Sequence, residues 1–163
     1  RRFLDDFRPK YARVAERDFW LAEASVYNRA EAYAGTLDAI ADIPGLGRVL
    51  IDYKSAKGVY PETALQLAAY RHAEFIGLPD GSEWPMPPVD GCAVLHLPAK
   101  PDGWERTPAD PGYRFLPVIA DEQVFRAFRF IRESFRFMEE TSKGVIGEAI
   151  PAPARRARRR KAA

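Results

Sequence analysis

Residues 1–19 are rich in charge, with Phe3, Leu4, Phe7, Tyr11 and Val14 at roughly helical spacing. Pro9 falls inside this stretch, so the pattern predicts an interrupted helical segment. From Trp20 the period drops to two. Trp20, Ala22, Ala24 and Val26 alternate with Leu21, Glu23, Ser25 and Tyr27, as in a strand. A turn over Asn28–Glu31 leads to a second strand from about Ala32 to Ile43. Pro44-Gly45-Leu46-Gly47 closes it as a turn, and Arg48–Lys54 follows as a third strand, apolar enough for the middle of a sheet. The second and third strands read as a hairpin.

A helical period returns after Pro61, with Leu65, Ala68, Ala69, His72, Ala73 and Ile76 on its apolar side and Gly77 and Pro79 as its stop. Residues 79–91 hold Pro79, Pro85, Pro87 and Pro88 and read as loop. Cys92–Leu97 is a buried-type strand. A Pro-, Asp- and Gly-rich loop runs to about Gly112. Tyr113–Ile119 is expected at a sheet edge, because Pro117 has no ladder donor. Asp121 caps a long amphipathic helix to about Thr141, with Val124, Phe125, Phe128, Ile131, Phe135 and Met138 as its core face. The order is helix, three strands, helix, two strands, helix. It predicts an α/β fold with a mixed central sheet flanked by helices.

The 163 residues are 47% apolar and 29% charged, which suits one folded domain and excludes a disordered chain. No apolar run is long enough for a membrane helix. The formal charge is only +2, but it is uneven. Residues 155–161 hold six positive charges; without them 19 basic residues face 23 acidic ones, leaving the rest at −4. The expectation is a single domain over 1–150 and a basic, flexible tail over 151–163. With Cys92 as the only cysteine, the chain has no internal disulfide and no four-cysteine metal site of its own. A reducing, cytoplasmic setting fits. The chain starts at Arg1 without Met, so its N-terminal helical part is expected to be truncated.

The chemistry concentrates in the hairpin. Asp52 and Lys54 alternate with Ile51 and Tyr53, so they share one strand face with Leu50. Charges inside an apolar strand are costly unless paired or bound to a metal. Hairpin pairing brings Asp38 beside Asp52, and two converging carboxylates suit a hard cation such as Mg²⁺. The backbone carbonyl of Tyr53 can add an oxygen, and Lys54 stands next to the metal water. On the following helix Gln66 and Tyr70 are four residues apart and share a face. A buried structural salt-bridge network is the other reading of these residues.

Gly35-Thr36-Leu37-Asp38, Asp52-Tyr53-Lys54-Ser55 and Gln66-Leu67-Ala68-Ala69-Tyr70 together resemble the acidic, (D/E)-x-K and Q-x-x-x-Y motifs of the PD-(D/E)XK nuclease superfamily. The likeness is to RecB-like domains and to phage and CRISPR-type exonucleases, and spans about Trp20 to Phe75. It implies a restriction-endonuclease-like core and a metal-dependent deoxyribonuclease, an exonuclease of recombination, repair or phage DNA processing, using Mg²⁺ or Mn²⁺. Asp38 and Asp52 would be metal ligands, Lys54 catalytic, and Gln66 and Tyr70 would shape the site. Glu23 stands where some phage relatives carry an acidic residue, a further metal ligand. The alternative is an inactive or incomplete nuclease-fold module that binds DNA or a partner.

The sequence departs from that pattern in two places. RecB-like domains carry a metal-binding His upstream of the first strand; here no His precedes His72, so the ligand is absent, lies upstream of Arg1 or is replaced by Glu. The four cysteines of an iron–sulfur cluster are missing. His72, His96 and Cys92 read as packed residues. Arg126, Arg129, Arg132 and Arg136 read as a solvated helix face, with a phosphate track as the alternative. Arg155, Arg156, Arg158, Arg159, Arg160 and Lys161 form a basic arm for nucleic acid. The expected partner is DNA, with a helicase, a recombination protein or a second copy as further possibilities, and no membrane.

Overall fold

The structure is a computed structural model describing residues 19–100, 102–107 and 109–151. The expected N-terminal helical segment and the basic arm lie outside the described residues. The elements are β1 (Phe19–Asn28), β2 (Tyr33–Ile43), β3 (Gly47–Lys54), α1 (Glu62–Arg71), β4 (Phe75–Gly77), β5 (Glu83–Pro85), β6 (Gly91–His96), β7 (Arg114–Val118) and α2 (Glu122–Arg136). The protein is α/β, with a seven-stranded mixed sheet in the order β5-β4-β1-β2-β3-β6-β7. Among the described residues no helix is long and apolar enough to cross a membrane.

Every sheet pairing is antiparallel except β3 with β6, where the chain crosses over through α1, β4 and β5. That parallel neighbour makes β3 a central strand, buried from Val49 to Asp52. One sheet face packs Leu37, Ile40, Leu50, Ile76 and Val94 with Leu67 and Ala68 of α1. The other packs Ala39, Ala41, Ile43, Val49, Ile51, Ala93 and Leu95, with Tyr113 and Phe115 against them. Pro117 lies on β7, an edge strand, as its missing donor requires.

The hairpin turn needs its glycine. Gly47 has φ +78°, and a Cβ there would lie 2.2 Å from an Asp90 carboxylate oxygen. That carboxylate accepts the Arg48 backbone N–H at 2.7 Å.

Three expectations about elements are corrected. The helix after Pro61 ends at Arg71, and residues 75–77 form β4 instead. Ala73 and Ile76 fit a helical stripe, but the edge of β1 supplies ladder partners, and Ile76 is fully buried there. Residues 83–85, expected as loop, form β5; Pro85 is tolerated because β5 is an edge. Of the expected core face only Phe125 is buried; Val124 and Phe128 are half-buried, Ile131 and Phe135 on α2 are exposed, and so is Met138 beyond its end. A π-helical turn, Phe137–Thr141, follows α2.

The described residues divide into two units, with the division after Ile131, inside α2. The sheet, α1 and the candidate site belong to the first.

Candidate functional site

The site is built where β2, β3 and α1 meet. β3 alternates strictly here: Leu50 packs toward α1 while Val49 and Ile51 pack on the opposite face. Asp52 and Lys54 therefore follow Leu50 toward α1. Asp52 is 3% exposed. Lys54 Nζ donates to Asp52 Oδ1 at 3.0 Å and lies 3.0 Å from Oδ2. Oδ2 nevertheless takes no hydrogen bond, although it is buried. The same Nζ donates to Gln66 Oε1 at 3.2 Å, and Gln66 Nε2 donates to the Tyr70 hydroxyl at 3.2 Å. Asp52, Lys54, Gln66 and Tyr70 form one polar chain from the sheet into the helix.

Gly35 explains how the chain ends. A Cβ at that position would sit 2.5 Å from Tyr70 Cε1. Only glycine lets the Tyr70 ring lie against β2. Tyr33, two residues earlier, donates its hydroxyl to the Ala69 carbonyl at 2.7 Å and fixes the same turn of α1. Tyr33 belongs to none of the sequence motifs; its place before Gly35 in the strand alternation is the one signal that points to it.

Asp38 stands at an irregularity. Tyr33 and Leu37 pack on the α1 face, and so does Ile40, so the alternation of β2 slips by one between Leu37 and Ile40. β1 slips at the same level: Leu21, Ala24 and Val26 all pack on that face, and Glu23 between them has φ +50°. The β2–β3 ladder runs from Ile43 opposite Gly47 to Ala39 opposite Ile51. Beyond it the Tyr53 N–H is taken by Asp38 Oδ2 at 2.7 Å, a carboxylate in place of a main-chain carbonyl. In an extended strand the N–H and C=O of one residue face the same edge, so the Tyr53 carbonyl is turned toward the Asp38 side.

Burial is the main cause that raises the Asp52 carboxyl above its ordinary value. The Lys54 hydrogen bond and charge oppose it, and the charge of Asp38 adds to the rise. Two carboxylates thus feel each other here. Glu23 is exposed, and among the described residues no three His, Cys, Asp or Glu side chains are grouped to hold a metal. The structure brings together Asp38, Asp52, Lys54, Gln66 and Tyr70; it does not gather Glu23 into a three-ligand group.

The donor set fits a hard divalent cation. Mg²⁺ is commonly held by one or two carboxylates, with waters and substrate phosphates completing its shell. Asp52 Oδ2 is a buried oxygen without a hydrogen bond, and Asp38 has a second oxygen beyond the one that accepts from Tyr53.

Two packed residues behave as the sequence suggested. His72 stacks on Phe125 at 4.3 Å, with its Nε2 3.3 Å from Glu122, and Cys92 is buried with its thiol pushed up to about 11 by burial. The arginine stripe on α2 is largely ion-paired: Arg129 to Glu31, Arg132 to Glu133, and Arg136 to Glu133 and Glu140. No protein-family profile matches the chain, and no curated protein does.

Proposed function

We propose that the protein is a metal-dependent deoxyribonuclease with a PD-(D/E)XK-type core, hydrolysing DNA phosphodiesters at the Asp38–Asp52–Lys54 site. The observation that carries this reading is the pairing of two carboxylates, the buried Asp52 and its neighbour Asp38, on a strand whose next inward residue is Lys54. A structural salt bridge needs only one carboxylate for Lys54, whereas two carboxylates brought together repel unless a cation lies between them.

Asp38 and Asp52 would hold Mg²⁺ or Mn²⁺. A cation there lowers the pKa of a bound water and offsets phosphate charge. The rest falls to the chain itself. Asp52 and Gln66 occupy two of the three Lys54 donors and fix the ammonium in place. Held there, its fixed positive charge would favour the transition state on a phosphate oxygen or the attacking water. Tyr70 orients Gln66, and Gly35 seats Tyr70.

The test uses end-labelled single- and double-stranded DNA with Mg²⁺, Mn²⁺ or chelator. Cleavage should need the metal and fall by at least about 10²-fold in Lys54→Ala and Asp52→Ala. Cleavage that survives either substitution places the site elsewhere. DNA binding by the wild type without cleavage favours a binding module of the same fold.

A further inference from the structure

His96 is one of four buried polar residues among those described, at 3% exposure. The β3–β6 register sets it directly beside Lys54, as it sets Val94 beside Asp52 and Cys92 beside Leu50. Cys92 and Val94 pack toward α1, so alternation turns His96 to the same face as Lys54. Its Nε2 lies 2.8 Å from the Ala56 carbonyl. A carbonyl only accepts, so Nε2 carries the proton and donates. The adjacent Leu97 N–H donates to the Lys54 carbonyl at 2.7 Å.

These two bonds matter because β3 ends at Lys54 and Ser55, Ala56 and Lys57 are exposed. The end of β6 clasps the chain on both sides of Ser55, once through backbone and once through the imidazole. Without the second bond, the backbone leaving Lys54 is held on one side only. A buried ring is a rigid donor, whereas a solvated side chain would share the Ala56 carbonyl with water.

The geometry points to His96 as a positioning residue: through the Ala56 carbonyl it fixes the segment leaving β3, and so the Lys54 ammonium relative to Asp38 and Asp52. This role rests on the nuclease reading for its effect on rate, but the clasp itself is a property of the chain.

The test compares His96→Gln, His96→Asn and His96→Leu in the full chain. Gln places an amide N–H near the Nε2 position; Asn is polar but too short. Two readouts are taken: steady-state DNA cleavage with Mg²⁺, and the rate of trypsin cleavage after Lys57 in the absence of DNA and metal. Outer partners of a catalytic group typically govern about 10–100-fold in activity. His96→Asn and His96→Leu should lose kcat on that scale with KM for DNA nearly unchanged, and trypsin should cut at Lys57 about tenfold faster as the clasp opens. His96→Gln should restore both. If Leu does not fold, the Gln–Asn contrast carries the test. Equal kcat in Gln and Asn, or unchanged trypsin sensitivity in Asn, overturns the role. If the wild type cleaves no DNA, the nuclease reading fails and the trypsin contrast alone decides the clasp: a faster cut in Asn restored in Gln supports it, and equal rates overturn it.

Discussion

Burial raises the Asp52 carboxyl, so in the folded protein it holds its proton to higher pH than in the unfolded chain. Between those two values the native state binds more protons, and stability falls as pH rises; above both, the loss is complete. Asp52→Asn should remove that slope. Asp80, Asp110 and Glu133 are held below the usual carboxylate range and act with the opposite sign, so thermal melts across acidic and neutral pH should show wild-type stability falling relative to that of the variant as pH rises. Mg²⁺ at about a hundred times its Kd should stabilise the wild type by ~2.7 kcal/mol. That shift should vanish in Asp52→Asn and Asp38→Asn, and a shift that persists would move the cation elsewhere. Gly35 gives the sharpest steric prediction. Gly35→Ala forces a methyl into Tyr70, with an expected loss of about 1–3 kcal/mol. Adding Tyr70→Ala should recover part of it, since neighbouring residues couple. Strand and helix periods put Asp52 with Lys54 on one face and Gln66 with Tyr70 on another; the motif resemblance is what singles these four out. The burial of Asp52 and the partner of His96 are not readable in that way, because both depend on which strand lies next to β3.

Local signals decide some elements, and neighbours decide others. α2 begins at a capping residue: Asp121 Oδ1 accepts the backbone N–H groups of Gln123 and Val124 at 3.0 and 3.1 Å. Asp121→Ala should lower stability by about 1 kcal/mol, measured as a lower denaturation midpoint. This cap is readable in one dimension because its partners are two and three residues away. β4 is not readable in that way. Phe75-Ile76-Gly77 continues a helical stripe acceptably, and only the edge that β1 offers makes a strand the better use of its backbone groups. The paired slips of β1 and β2 at Glu23 and Asp38 are likewise tertiary. Neither strand alone requires them, yet together they let Asp38 take over a ladder acceptor's role.

Charge acts over the whole molecule. A formal net charge of +2 conceals an acidic remainder and a run of six positive residues over 155–161. If that run serves DNA, deleting residues 155–163 should weaken binding and flatten its salt dependence, by a slope of about 0.9 for each phosphate the tail neutralises. Titrating DNA binding at several salt concentrations measures this. An unchanged slope would assign phosphate binding elsewhere, and the α2 arginines are a poor substitute because Arg129, Arg132 and Arg136 already face carboxylates.

By itself, the sequence determined the α/β class, the β2–β3 hairpin, the edge position of the Pro117 strand and the shared strand face of Asp52 and Lys54. These follow from periods of 2 and 3.6 and from the missing donor of proline. Tertiary structure alone decided that β6 runs parallel beside β3. That one neighbour buries Asp52, sets His96 against Lys54 and closes the segment after it. A parallel partner arrives through a long crossover, and nothing within either strand's own few residues specifies which strand it will meet.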